Sequence, residues 1–368
     1  MLPGRREAWG LALAAVGWLA ATGVHTLLPS VPALTVAFVL GLLGAQVFGS
    51  SPAGRAVRWE QAAPGLAFAG KRLMRAGIVL LGFAVSLTDI ASVGLLAVLA
   101  TLALVPVAFG VTWLAGRGMD DDERLLLAAG FSICGASAIA AAAAARRIDT
   151  AKTAVPTALV TLCGSLAIAL MPALVAVTGA TGVQAGAWIG ASVHDVGQVV
   201  AAAQSSAPVA DGAAGVVLTV AVAVKMVRVL CLAPVTAVLA RSARRQGASA
   251  GQTAPSGGSI AGGASPSTGT TAAGGQAGAA AAAPLVPLFV AGFVVALVVR
   301  TWVPLPHGLL GVVGALREAL LCMALVGLGA AVRPVELWRR GRSSLRAALL
   351  SWGVLVAAGA VVALVAGR

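Results

Sequence analysis

His194 and Asp195 stand inside one apolar run of this sequence, and Lys225 and Arg228 inside the next. If those runs lie in a bilayer, each charge at the centre costs roughly 2.5–3.5 kcal/mol and has to face a cavity or a partner. Lys225 and Arg228 are three residues apart, so they share one helical face. On a functional reading the basic pair attracts an anion while Asp195 or His194 exchanges a proton. On a structural reading an Asp195–Lys225 or Asp195–Arg228 ion pair simply ties two helices together.

The surrounding residues suggest how such a site would be built. GFSICGASAIAAAA at 130–143 aligns with GASVHDVGQVVAAA at 190–203, placing Gly130 on Gly190 and Ser132 on Ser192. The following runs also match, ALMPALVAV at 169–177 with CLAPVTAVL at 231–239, so the offsets are 60 and 62 residues. Nearly equal offsets are the mark of a duplicated unit. A weaker pair is LGFAVSLTDI at 81–90 with LGAAVRPVEL at 328–337. Gly130, Gly135, Gly190 and Gly197 weaken a helix by about 1 kcal/mol each relative to alanine. Unwound backbone at membrane depth persists only where protein or water covers it. Interrupted helices there would present N-terminal N–H groups, whose positive dipole ends suit an anion. Ser132, Ser137, Ser192 and Gln198 would add neutral donors. The competing reading is close packing of helices through small residues.

These residues need helices to carry them, and composition supplies the kind. The 368 residues are 59% hydrophobic and 10% charged, with mean hydropathy +0.97. A soluble chain is about 25% charged, so lipid is the solvent here. The net charge of +13 does not indicate nucleic acid, because the cations sit in short clusters between apolar runs. These are Arg5 and Arg6; Arg55, Arg58, Lys71, Arg72 and Arg75; Arg146, Arg147 and Lys152; Arg241, Arg244 and Arg245; and five arginines from Arg333 to Arg346. That is the bias of cytoplasmic loops. Four cysteines inside apolar runs form no CxxC pair, so neither a disulfide framework nor a metal site is expected. No catalytic triad, HExxH helix or phosphate loop is present; an enzyme is not expected, nor is any cofactor.

Apolar runs at 8–28, 32–49, 74–89, 91–115, 124–145, 153–178, 186–204, 212–240, 285–303, 308–332 and 344–366 predict an all-α polytopic membrane protein. The first run is long enough to be retained as a helix rather than removed as a signal peptide. Residues 1–245 form the first part of the membrane domain, with repeat units at about 121–179 and 181–241. A Gly/Ala/Ser segment at 246–283 reads as a flexible cytoplasmic linker, and 284–368 holds the last three spans. If every run crossed, Arg146, Arg147 and Lys152 would fall outside, against the charge bias. If 124–145 and 186–204 re-enter, every basic cluster returns to the cytoplasm and the two units become inverted repeats. The alternative is that both cross as broken helices. The fold expected is therefore about 9–11 transmembrane helices, two of them discontinuous or re-entrant.

GFSICGASAIAAA, SVHDVGQVVAA and KMVRVLCLAP, together with GIVLLGFAVSLTDI at 77–90, resemble the YeiH-type family of bacterial inner-membrane proteins. The resemblance covers nearly the whole chain apart from the 246–283 segment. It implies a carrier of ten to eleven spans, distantly similar to cation–proton antiporters and bile-acid carriers, and customarily assigned export of sulfate or a sulfonate-derived anion.

The reading that emerges is a secondary transporter exporting a small anion across the inner membrane, with proton coupling through His194 or Asp195. The substrate-binding candidates are Ser132, Gly135, Ser137, Ser192, His194, Gln198, Lys225 and Arg228. A cation–proton antiporter using Asp195 and Lys225 is the first alternative, and a non-transporting sensor or assembly subunit the second. Lipid is the expected partner, and a homo-oligomer is compatible with everything above. Arg317 and Glu318, adjacent in one run, point to different faces. Asp120 to Glu123 reads as a solvated loop and helix start, and His25 and His307 lie at span ends.

Overall fold

The computed structural model describes residues 5–29, 31–48, 59–87, 93–210, 214–251, 288–332 and 342–366. Those residues are helical almost throughout and contain no strand. The helices are α1 (Arg5–Leu27), α2 (Ala33–Phe48), α3 (Trp59–Phe68) and α4 (Met74–Leu81), the last two joined by a π-turn at Ala69–Leu73. Then come α5 (Leu95–Ala115), α6 (Asp121–Ser132), α7 (Ala136–Arg146), α8 (Ala154–Thr178), α9 (Gly182–Ser192), α10 (Val196–Ser206), α11 (Ala214–Leu230) and α12 (Leu232–Gly251). The chain closes with α13 (Leu288–Trp302), α14 (His307–Ala331) and α15 (Arg342–Val365). Among the described residues six stretches are long and apolar enough to cross a membrane: Glu7–Leu27, Leu95–Ala115, Ala151–Thr178, Gly215–Ala243, His307–Ala331 and Ser343–Val365. An all-α polytopic membrane fold follows.

The order of packing gives the molecule two ends. Trp113 and Ala115 of α5, Leu125 of α6, Ala143 of α7, Leu239 of α12 and Ala347 of α15 share one cluster. This is the basic end, where Arg146 Nη1 donates to Ser242 Oγ at 2.9 Å. At the other end Met171 and Val175 of α8 meet Ala185 of α9, Ala203 and Ala207 beside α10, and Ala363 of α15.

The pair α6–α7 is a hairpin whose mouth lies at the basic end. Lys152, just after it, places Nζ 3.0 Å from Asp120 and 2.7 Å from Asp122, just before and within it. Asp120 caps α6, accepting from the backbone N–H of Asp122 at 3.1 Å and of Glu123 at 3.3 Å, as its sequence suggests. The pair α9–α10 is a second hairpin, open at the opposite end. Its entry is fixed by a capping box between Thr181 and Gln184. Its return is fixed on α8: Gln198, at the start of α10, donates to Thr161 O at 3.0 Å, while Ala203 and Ala207 pack near Met171 and Val175.

Two elements differ from expectation. The third helix begins at Trp59, well before the apolar run at 74, and so takes Lys71 and Arg72 out of a loop and joins them to Arg75 in a continuous rod. Hydropathy hides this because cations break the apolar run, yet Ala, Leu, Lys, Arg and Met are all good helix formers. α12 runs on to Gly251, over the first residues of the Gly/Ala/Ser segment; the rest of that segment lies outside the described residues. The weaker internal pair lies partly outside them too, at 88–90 and 333–337.

Candidate functional site

The two hairpins break at matched positions, 133–135 and 193–195, so the 60-residue offset holds to the residue. Gly135 starts α7 at φ 71° and ψ −132°, a conformation closed to side-chain-bearing residues. Gly130 and Gly190, by contrast, lie inside helices. A Cβ on Gly190 would strike the Ala221 carbonyl of α11, and one on Gly130 would strike the Ile139 side chain. Close packing explains those two; the interruption belongs to 133–135 and 193–195. The tips touch there, since a Cβ on Gly135 would lie 3.7 Å from Cβ of His194.

Each break leaves the last carbonyls of a half-helix without partners. α11 supplies them. Lys225 Nζ donates to Ile133 O at 3.1 Å and to Val193 O at 2.7 Å, one carbonyl from each tip. Arg228 does the same with its fork: Nη2 to Phe131 O at 2.7 Å, Nε to Ser132 O at 3.3 Å and Nη1 to Ala191 O at 2.5 Å. Both cations are fully buried. Charge-assisted bonds of this kind contribute roughly 1.5–3 kcal/mol each, and cations suit the negative ends of helices. Among the described residues Lys225 and Arg228 form no ion pair with Asp195, so that structural alternative is replaced by carbonyl capping.

Asp195 instead caps α10, its Oδ1 accepting from Gly197 N at 2.9 Å. It is half-buried, with no cation within ion-pair distance among the described residues. α7 starts with no side-chain cap at all, and Ser137 in its first turn is half-buried. His194 is fully buried, edge-on to Phe131 with ring centroids 4.4 Å apart, and neither ring nitrogen has a partner. Gln198 Nε2 is held by Thr161 O and by Ser165 Oγ at 3.3 Å, while its Oε1 is unpartnered. Ser132 Oγ donates back to Ala129 O at 3.2 Å. Ser192 Oγ has no partner and lies toward Gly359 of α15. The tips thus gather Ser132, Gly135, Ser137, His194, Asp195 and Gln198, whereas Ser192 faces away toward α15. Arg317, half-buried, and Glu318, exposed, belong to α14, outside this group. His25 binds Val31 O through Nδ1 at 2.8 Å at the end of α1.

No group of three or more His, Cys, Asp or Glu that could hold a metal ion occurs among the described residues. Among the described residues the two tips form a junction capped by Lys225 and Arg228, with the Asp195 carboxylate outside ion-pair distance of any cation.

Comparison with known proteins places the sequence among bacterial membrane proteins. A family described as Conserved hypothetical protein 698 matches residues 8–348. The chain belongs to this family. A UPF0324 membrane protein of Corynebacterium glutamicum is 34% identical over 326 residues, covering 88% of this chain and 82% of its own. One from Pseudomonas aeruginosa is 34% identical over 357 residues, 93% of this chain and 86% of its own. The UPF0324 inner membrane protein YeiH of Escherichia coli K12 is 29% identical over 368 residues, 96% of this chain and 92% of its own. No solved structure matches. With its spanning helices and such relatives, the chain is a multi-pass inner-membrane protein.

Proposed function

We propose that the chain is a secondary transporter that carries a small, sulfate- or sulfite-like anion out of the cell, with the cargo bound at the crossed hairpin tips. The observation that carries this reading is the use of Lys225 and Arg228 to cap both half-helix C-termini from one helix. Taking about half a charge per helix end, the two cations outweigh the two capped ends by roughly one positive charge. The N-termini of α7 and α10 add about one more, and the single carboxylate of Asp195 removes one. The junction is left net positive, with donors at the uncapped start of α7 and on Ser137. In this reading the hairpins enter the membrane from opposite faces as inverted repeats, the transporter plan in which half-helix ends bind the substrate.

Asp195 favours a second reading. A half-buried carboxylate with one backbone bond and no cation beside it can bind a proton or a monovalent cation. Coupling of the anion to protons through Asp195 is the form we adopt; cation–proton antiport is the competitor.

Flux in proteoliposomes separates them. Labelled sulfate or sulfite should accumulate under an imposed pH gradient, and labelled sodium should not. Sodium flux without anion flux would overturn the anion reading. Hairpin orientation is tested by cysteines at Ala145 and Val183, which should react from opposite faces of the membrane.

A further inference from the structure

The rod α3–α4 carries Lys71, Arg72 and Arg75 in its middle, all exposed. None has an acidic partner among the described residues, and Arg75 lies 5.9 Å from the centroid of Phe289. Their depth follows from Met74. A Cβ on Gly197 would strike the Met74 thioether, so Met74 packs on the second hairpin tip. Ile133, Cys134 and Ala138 of the first hairpin, and Val196 and Val200 of the second, share one buried cluster with Met74 and Ile78. The cations therefore lie at the level of the tips, with Lys71 one turn nearer the basic end.

The π-turn sets their exposure. Buried positions along the rod run Ala62, Leu66, Ala69, then Met74, Ile78, Leu81. Their spacing is four, three, five, four, three; the step of five is the π-turn, and it holds Lys71 and Arg72 clear of the buried stripe. Such turns recur at functional positions. A second observation points the same way. From the tip to the basic end, α7 leaves one side uncovered, with Ser137 and Ala141 half-buried and Ala140 and Ala144 exposed. Elsewhere the exposed helical faces carry Leu and Val, as at Leu95, Leu99, Val177 and Val361. The α7 face has only small residues, which suits a path for solvent and solute better than a seat for lipid chains.

We infer that Lys71, Arg72 and Arg75 line a water-filled approach from the basic end to the hairpin tips and gather a small oxyanion there. Cations exposed at this depth without acidic partners are costly in hydrocarbon and cheap beside water. A cleft of one sign of charge raises the local concentration and on-rate of its counter-ion. The inference deepens the anion reading and rests on it.

Two measurements test it. Lys71→Cys and Arg75→Cys should react with a charged, membrane-impermeant thiol reagent in inside-out vesicles and not in right-side-out ones. Added sulfate or sulfite should slow that reaction. Absence of labelling in both vesicle types, as for a side chain in lipid or in a subunit contact, would overturn the approach whatever the cargo. In proteoliposomes, the double variant Lys71→Gln/Arg75→Gln should raise the half-saturating anion concentration about tenfold and keep the maximal rate. Its flux should also respond less to ionic strength. Arg117→Gln, which removes a cation from an exposed loop, is the charge control. Equal half-saturation in the double variant and the control overturns steering. Wild-type chain that carries no anion at all refutes the underlying function instead, and the labelling arm still decides whether the cations face water.

Discussion

The two hairpins share a break at the same offset and the same cap from α11, yet they differ in what covers their inner arms. α10 is buried from Val196 to Ala203, sealed by α8, α11 and the rod α3–α4. α7 is uncovered along one side, and it starts on a strained glycine with no side-chain cap, whereas α10 starts on the carboxylate of Asp195. Hairpins matched at one offset can therefore be held in unlike surroundings. α7 has an uncovered side and an uncapped start, whereas α10 has a covered face and a half-buried carboxylate at its start.

The largest expected effect removes what the hairpins share. Arg228→Ala strands three carbonyls across both tips and Lys225→Ala strands two. Each should destabilise the protein by about 3–5 kcal/mol, seen as loss of a monodisperse peak in detergent and a lower Tm. A folded Arg228→Ala protein that lost only transport would show that the cations serve the cargo rather than the carbonyls. Next comes the glycine contrast. Gly135→Ala should cost roughly 1–3 kcal/mol, because alanine does not tolerate that backbone conformation. Gly197→Ala, which has only to displace the flexible end of Met74, should cost under about 1 kcal/mol, by thermal unfolding.

Asp195→Asn should keep the α10 cap, since asparagine caps as well as aspartate, and should abolish pH-gradient-driven flux at nearly unchanged Tm. Asp195→Ala should lose flux and about 1 kcal/mol as well. Coupled transport surviving in Asp195→Asn would remove the carboxylate from the mechanism. The difference in cover is read directly by cysteines at Ala140 and Val200. Thiol reagents applied from the basic end should modify the first and spare the second, and equal reaction would erase the contrast.

The smallest effect is at the mouth of the first hairpin. Lys152 and the α6 N–H groups hold the Asp120 carboxyl below its ordinary 3.8. The depressed carboxyl contributes above the unfolded pKa and loses its contribution as pH falls through the lower folded value. The clasp should therefore stay intact above that range. Hydrogen exchange at the Asp122 and Glu123 amides should rise only below about pH 3.8, and modestly, because these groups are exposed.

Much of this was legible in residue types. The matched GFSICGAS and GASVHDVG segments located both interruptions, because polar residues gather there beside glycines in apolar runs, although Gly130 and Gly190 themselves serve close packing. The partners of Lys225 and Arg228 were not legible. Their bonds go to backbone carbonyls 32 to 97 residues away, and a carbonyl has no side-chain signature. Sequence offered an anion or Asp195 as the partner; the fold offers helix ends. Lys71 and Arg72 were misplaced for a related reason. Hydropathy assigns a cluster of cations to a loop, and the step of five that turns Lys71 and Arg72 clear of the buried stripe shows only in the burial pattern.

The shared cap also bears on how the chain is made. Both tips are complete before α11 leaves the ribosome, so for a time their last carbonyls lack the side chains that bind them. α11 in turn carries two cations that resist entering lipid alone. Each half makes the other's insertion tolerable, and neither is stable in hydrocarbon until both have arrived. Residue 228 thus marks the point in synthesis before which the core cannot close, and a pause or truncation upstream of it should leave an intermediate for quality control.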